Sequence, residues 1–139
     1  MNSLRVNAIK AAGYAKERRS RTRSPLRTGD FLVDWFFCAI IYSLNQQIEK
    51  IIWVHNLHDI NKRGQREKLD GLTDDNVIFL EYRLSPSRGV KVLIHEVCHV
   101  FIELGVIEEK FILQIEDYLW ESLTSAQKSL IESFLPKKK

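Results

Sequence analysis

Two histidines and a glutamate form the pattern His95-Glu96-Val97-Cys98-His99, the clearest sign of chemistry in this sequence of 139 residues. On an α-helix, side chains four residues apart project from the same face, so both imidazoles can bind one metal ion. Glu96 projects about 100° away from His95, where its carboxylate can contact a water molecule on the metal instead of the metal itself. The pattern therefore predicts zinc ligands at His95 and His99 and a general base at Glu96, the division of roles that zinc-dependent hydrolysis requires.

Other interpretations of the chemistry-bearing residues stay open. A helix with two structural histidines would show the same spacing without a metal. His55 and His58 lie at the end of the first predicted strand region and could supply a ligand, although an exposed, polar strand end is the favoured interpretation. Cys98 projects away from the two histidines, so a small buried thiol is expected there. Three further side chains could stabilise an oxyanion, and their spacing does not choose among them: Tyr82, Arg83 and Tyr118.

Local sequence patterns predict the elements that must position the motif. Apolar residues at 3.6-residue spacing predict a helix over 89–104, and Gly105 is expected to end it. β-Branched and aromatic residues predict strands over 51–57 and 76–84. A third, hairpin-paired strand is expected near 69–72.

Three more helices are predicted, over 31–50, over 107–123, and after a capping box formed by Thr124 and Gln127. The predicted fold class is α+β. In it, a small sheet of about three strands is packed by the N-terminal helix and the motif helix, and two C-terminal helices complete a cleft.

Composition and charge indicate one globular domain with a basic N-terminal arm. The chain is 45% apolar and 28% charged, which excludes collagen, coiled coil and wholesale disorder. Residues 1–30 hold eight Lys and Arg against two acidic residues, so they are predicted to form a mobile arm ahead of a domain at 31–139. Within the arm, residues 15–27 are interpreted as a solubilising tail; a handle for nucleic acid or an acidic partner is the less favoured alternative.

A membrane span is not expected. Residues 31–44 are apolar at twelve of fourteen positions, but a spanning helix needs about 20 such residues, so a buried core helix is predicted. No secretory signal is recognised, because the apolar stretch follows a long basic segment and lacks a small-residue cleavage site. The two cysteines, Cys38 and Cys98, lack the spacing of a redox or zinc pair, so a reducing, cytoplasmic setting is expected.

The segment VLIHEVCHVF and the strand before it resemble the zincin metallopeptidases, over about residues 76–120. The resemblance implies that His95, His99 and a third protein ligand hold zinc, that Glu96 is the general base, and that the strand at 77–82 is the edge that receives an extended peptide substrate. The metzincin branch is excluded, because Ile102 and Gly105 stand where that branch has a glycine and a histidine. The short layout is similar to reduced gluzincins of small phage and bacterial proteins, loosely of the ImmA/IrrE type.

The third ligand must be a carboxylate if it lies downstream, because no histidine follows His99. Gluzincins use a glutamate on the next helix. On a helical wheel of residues 107–123, Glu116 falls within the apolar stripe, whereas Asp117 falls outside it. A carboxylate on a buried stripe must be paired, hydrogen-bonded or metal-bound. Glu116 is therefore the predicted third ligand, with Glu109, two turns earlier, as the alternative.

The resulting hypothesis is a metallopeptidase in which Zn²⁺ activates a water molecule and Glu96 transfers its proton to the leaving amine. The alternative is a zincin-like scaffold that does not cleave and acts as a regulator, binding nucleic acid or a protein through its basic arm. A purely structural zinc site is disfavoured, because such sites have four ligands and are rich in cysteine.

Overall fold

The computed structural model describes residues 25–60 and 64–139, and it confirms a small α+β fold. The helices are α1 (Phe31–Gln46), α2 (Pro86–Phe101), α3 (Glu108–Ser122) and α4 (Ser125–Glu132). The strands are β1 (Lys50–Val54), β2 (His58–Ile60), β3 (Arg66–Lys68), β4 (Gly71–Asp74) and β5 (Val77–Glu81). A single 3₁₀ turn, Gly105–Ile107, joins α2 to α3.

Three of the strands form a mixed sheet in the order β1-β5-β4, with β5 parallel to β1 and antiparallel to β4. Ile78 and Leu80 of β5 are fully buried, as expected for a strand paired on both sides. The prediction that residues 77–82 form the substrate-receiving edge is therefore wrong. The edges of this sheet are β1 and β4, and of these two β4 is the short strand that contacts the motif helix.

The second sheet is a two-stranded antiparallel pair of β2 and β3, which the sequence did not predict. It lies between β1 and β4 in the chain.

The motif helix α2 begins at a well-formed cap and lies at the centre of the core. The side chain of Ser85 accepts the backbone N–H of Arg88, and Pro86 occupies the first turn, where its missing N–H costs nothing. Apolar side chains of α2 pack against α1, the sheet and the C-terminal helices; Val90, Leu93, Ile94 and Val97 are almost completely buried. The helix ends at Phe101, and Gly105, with φ 66°, starts the 3₁₀ turn instead of capping the helix.

The two C-terminal helices fold back against α2. The predicted capping box is confirmed: Thr124 and Gln127 exchange hydrogen bonds at the start of α4. The amide of Gln127 is fully buried and also donates to the carboxylate of Asp34 in α1, at 3.1 Å, and to the carbonyl of Leu26. These bonds hold the start of α1 against α4.

The described end of the predicted basic arm is hydrogen-bonded to the domain. Thr28 and Gly29 donate backbone N–H groups to Asp34, and Thr124 donates its hydroxyl to the carbonyl of Pro25. Residues 1–24, which include most of the segment 15–27 considered for nucleic acid, lie outside the described residues. In the part of the chain that is described, no helix is long and apolar enough to cross a membrane.

Candidate metal centre

The two motif histidines lie one turn apart near the end of α2. Their ring centroids are 5.0 Å apart, as expected for side chains at positions i and i+4 of one helix. Only the short loop 102–107 separates α2 from α3, so the first turn of α3 lies beside the last turns of α2. That first turn carries Glu108 and Glu109.

The carboxylate of Glu109 lies between the two imidazoles. Its Oε1 is 2.7 Å from His95 Nε2 and 2.9 Å from His99 Nε2. The ligand atoms of these three residues all lie within 4.8 Å of one another. Two imidazoles and one carboxylate are the protein ligands of one common kind of catalytic zinc site, in which the fourth position stays open. The donor set therefore fits a zinc ion.

A different carboxylate contacts the other ring nitrogen of each histidine. Glu116 Oε1 is 2.7 Å from His95 Nδ1, and Glu108 Oε2 is 2.6 Å from His99 Nδ1. The second oxygen of Glu108 accepts the backbone N–H of Leu104 at 3.1 Å, so one carboxylate joins the loop to the histidine. The structure thus brings Glu109, the alternative of the sequence analysis, to the shared side of the two rings.

Glu116, the predicted third ligand, is buried on the opposite side of His95 and is outside this group of three. It is 9% exposed, and its Oε2 lies 3.6 Å from the ammonium of Lys91. Its burial is thus compensated by an imidazole on one oxygen and a cation near the other.

The general-base candidate, Glu96, is 7% exposed and faces the edge strand β4. Its Oε1 accepts a hydrogen bond of 2.7 Å from the hydroxyl of Thr73. Burial raises the pKa of Glu96, and the Thr73 hydrogen bond and the nearby imidazoles offset part of that rise. Glu96 is therefore a perturbed carboxyl beside two metal-type ligands, which is a feature of catalytic sites.

The surrounding carboxylates strongly perturb His95. Burial lowers its pKa, but the Glu116 hydrogen bond and the charges of Glu109 and Glu96 outweigh burial and raise the pKa to about 9. His99 in turn helps to lower the pKa values of both glutamates at the start of α3: its hydrogen bond is the main cause for Glu108, and for Glu109 the two imidazoles together outweigh burial.

We expect zinc binding to release protons at pH 7. Without metal, the pKa of about 9 keeps His95 protonated, and a protonated imidazole cannot be a ligand, so zinc must displace that proton. The apparent zinc affinity should therefore rise with pH up to about 9 and level off above that value. Titration calorimetry in buffers of different ionisation enthalpy measures the protons released. Binding without proton release at pH 7 would contradict the protonation of His95.

The remaining candidates of the sequence analysis lie in other contacts. The ring of His55 stacks on Tyr82 at 3.9 Å between centroids, and His58 lies in β2 with its Nδ1 3.0 Å from Arg66. Neither histidine belongs to the group formed by His95, His99 and Glu109. The hydroxyl of Tyr82 donates to the carbonyl of Lys139, and the hydroxyl of Tyr118 donates to the carboxylate of Asp30. Arg83 donates its backbone N–H to the carboxylate of Glu81.

Cys98 is completely buried, as expected, and burial raises the pKa of its thiol to about 12.

Sequence reasoning missed two site contacts, those of Glu108 and Thr73. Glu108 stands at the start of the helix predicted over 107–123, where the helix dipole alone would explain a carboxylate, and nothing in the sequence around Thr73 indicated its contact.

No family model, curated protein or solved structure was found to match this chain. The interpretation of the site therefore depends on its own geometry and chemistry.

Proposed function

We propose that this protein is a zinc-dependent hydrolase of peptide bonds, with His95, His99 and Glu109 as the metal ligands and Glu96 as the general base. The observation that carries the proposal is the convergence of three donor atoms within 4.8 Å on two adjacent helices. The buried glutamate of the same motif lies next to that group. A purely structural site would have no need of such a proton acceptor.

Glu116 and Glu108 have a positioning role in this proposal. Each accepts the Nδ1–H of one histidine, which fixes the tautomer and turns the other nitrogen, Nε2, toward the metal. Carboxylates in this outer position also make the imidazole a more basic ligand.

A zinc ion held by these side chains would supply Lewis acidity, lowering the pKa of a bound water molecule toward about 7 and polarising the substrate carbonyl. Glu96 accepts the proton of the attacking water and delivers it to the leaving amine. For the first of these steps Glu96 must be ionised, and the hydrogen bond from Thr73 favours the ionised form.

The edge strand β4 is the proposed site for the substrate backbone. Among the described residues it pairs only with β5, so its other edge is available to an extended peptide. It also contacts α2 directly beside Glu96. A peptide that adds to β4 as a further strand would be held by backbone hydrogen bonds close to the metal ligands.

Native mass spectrometry of protein prepared with excess zinc tests the proposal. We expect one zinc ion per chain, together with cleavage of some members of a peptide library. A metal-free protein would contradict the metal centre itself. A zinc-loaded protein that cleaves no library member would contradict the peptidase and favour the non-cleaving regulator.

A further inference from the structure

Two residues of β4, Gly71 and Thr73, lie on the same face of the strand, and both meet the side chain of Glu96. Residues two apart in a strand share a face. The hydroxyl of Thr73 is 2.7 Å from Glu96 Oε1 and 3.3 Å from the Glu96 carbonyl oxygen. The shorter distance identifies the carboxylate as its main acceptor.

Gly71 gives the strand room to approach the glutamate. A Cβ atom at this position would lie 3.0 Å from Glu96 Cγ and 3.1 Å from Glu96 Oε2. It would also lie 2.7 Å from Val92 Cγ1, closer than real Cβ atoms approach another atom. The backbone of the edge strand therefore packs directly against the glutamate side chain.

The two oxygens of the Glu96 carboxylate have different surroundings. Oε1 accepts the Thr73 hydrogen bond, whereas no hydrogen bond to Oε2 is found among the described residues. Within that part of the chain, no buried side-chain oxygen or nitrogen lacks a partner, so Oε2 retains contact with solvent. Among the described residues, Oε2 is thus the carboxylate oxygen without a protein hydrogen bond, and a water molecule can take that place.

We propose that Thr73 is a positioning residue for Glu96. Its hydroxyl holds Oε1, and Gly71, which has no side chain, leaves room for the carboxylate beside the strand. Oε2 is then the oxygen that takes the proton of the attacking water. The inference rests on the proposed function, because it assigns a base only if the site hydrolyses a substrate. Glu96 is 7% exposed, so little water competes with the Thr73 hydroxyl for the carboxylate, and one hydrogen bond to a charged group is enough to favour one orientation.

The test compares Thr73→Val with Thr73→Ser in the zinc-loaded full chain. Valine keeps the β-branched shape and removes the hydroxyl, while serine keeps the hydroxyl and removes the methyl group. We expect kcat for a cleaved library peptide to fall roughly 10- to 100-fold in Thr73→Val, with KM and zinc content nearly unchanged. Thr73→Ser should recover most of the lost kcat. An equal loss in both variants would overturn the positioning role, since it would trace the effect to packing.

A second readout does not need activity. In metal-free protein labelled with ¹³C at glutamate carboxyls, the Glu96 resonance is assigned by its disappearance in Glu96→Gln. Its chemical shift should move in Thr73→Val and stay in place in Thr73→Ser. An unmoved resonance in Thr73→Val would overturn the contact. A moved resonance in a protein that binds zinc without hydrolysing any peptide would overturn the proposed function, and with it the base assignment, while leaving the hydrogen bond established.

Discussion

Replacing Glu109 with alanine should weaken zinc binding by more than about 100-fold, while Glu116→Ala should weaken it by only about 10- to 100-fold. The larger effect follows from the position of Glu109, whose Oε1 lies within 3 Å of both Nε2 atoms. Glu116 contacts only Nδ1 of His95, and losing such an outer contact costs 10- to 100-fold in metal affinity. Competition with a chelator of known affinity measures both values.

Asp117→Ala is the matched control for this comparison. Asp117 is the next residue after Glu116 on α3, its side chain is largely exposed, and it contacts Lys91 at 3.1 Å but neither histidine. Its removal should leave zinc affinity within a few-fold of the wild type. A larger loss in Glu116→Ala than in Glu109→Ala would restore the ligand assignment made from the sequence. Equal affinities in all three variants would reject a carboxylate ligand from α3.

The proximity of the motif residues could be predicted from sequence because their relation is local. His95, Glu96 and His99 belong to one helix, and the helix period alone sets the directions of their side chains. The proposed third ligand lies on a second helix. Glu109 and Glu116 lie on the same stripe of α3, two turns or about 10 Å apart, and a helical wheel gives the direction around an axis but no position along it.

The loop between α2 and α3 places the first turn of α3 on the side that the two imidazoles share. It turns back within residues 102–107, where Gly105 adopts φ 66°, so Glu108 and Glu109 arrive beside the histidines. The sequence identified Gly105 as a helix terminator, but nothing in it fixes how far the chain travels before it reverses.

In the sheet, too, features set within one element could be predicted, whereas the pairing between distant strands could not. The β-branched and aromatic residues of β5 and the 3.6-residue periodicity of α2 could be recognised from sequence, and the predicted α+β class is confirmed. The hairpin-paired strand expected near 69–72 is present as β4, but the edge was misassigned, because β5 lies next to α2 in the chain yet pairs with a strand on both sides. The pair β2 and β3 was missed because each strand has three residues, and those of β3 are all exposed.

Replacing Glu96 with glutamine should abolish most hydrolysis while leaving zinc in place. General acid–base catalysis by a positioned side chain contributes about 10²- to 10⁴-fold, and an amide cannot accept the proton of the attacking water. The substitution keeps the shape of the side chain, and the amide oxygen can still accept the Thr73 hydroxyl. Zinc content should be unchanged, because Glu96 is outside the convergent group of His95, His99 and Glu109.

Thermal melting of metal-free Glu96→Gln shows whether a loss of hydrolysis comes from the missing base or from unfolding. Burial raises the pKa of Glu96 and so disfavours its charged form, and a neutral amide avoids that cost. We therefore expect the melting temperature of Glu96→Gln at pH 7 to equal or exceed that of the wild type. Glu103→Gln, which changes an exposed glutamate beyond the end of α2, serves as the control and should keep full activity. If Glu96→Gln lost zinc, Glu96 would be a ligand; if it hydrolysed peptides at the wild-type rate, another group would have to be the base.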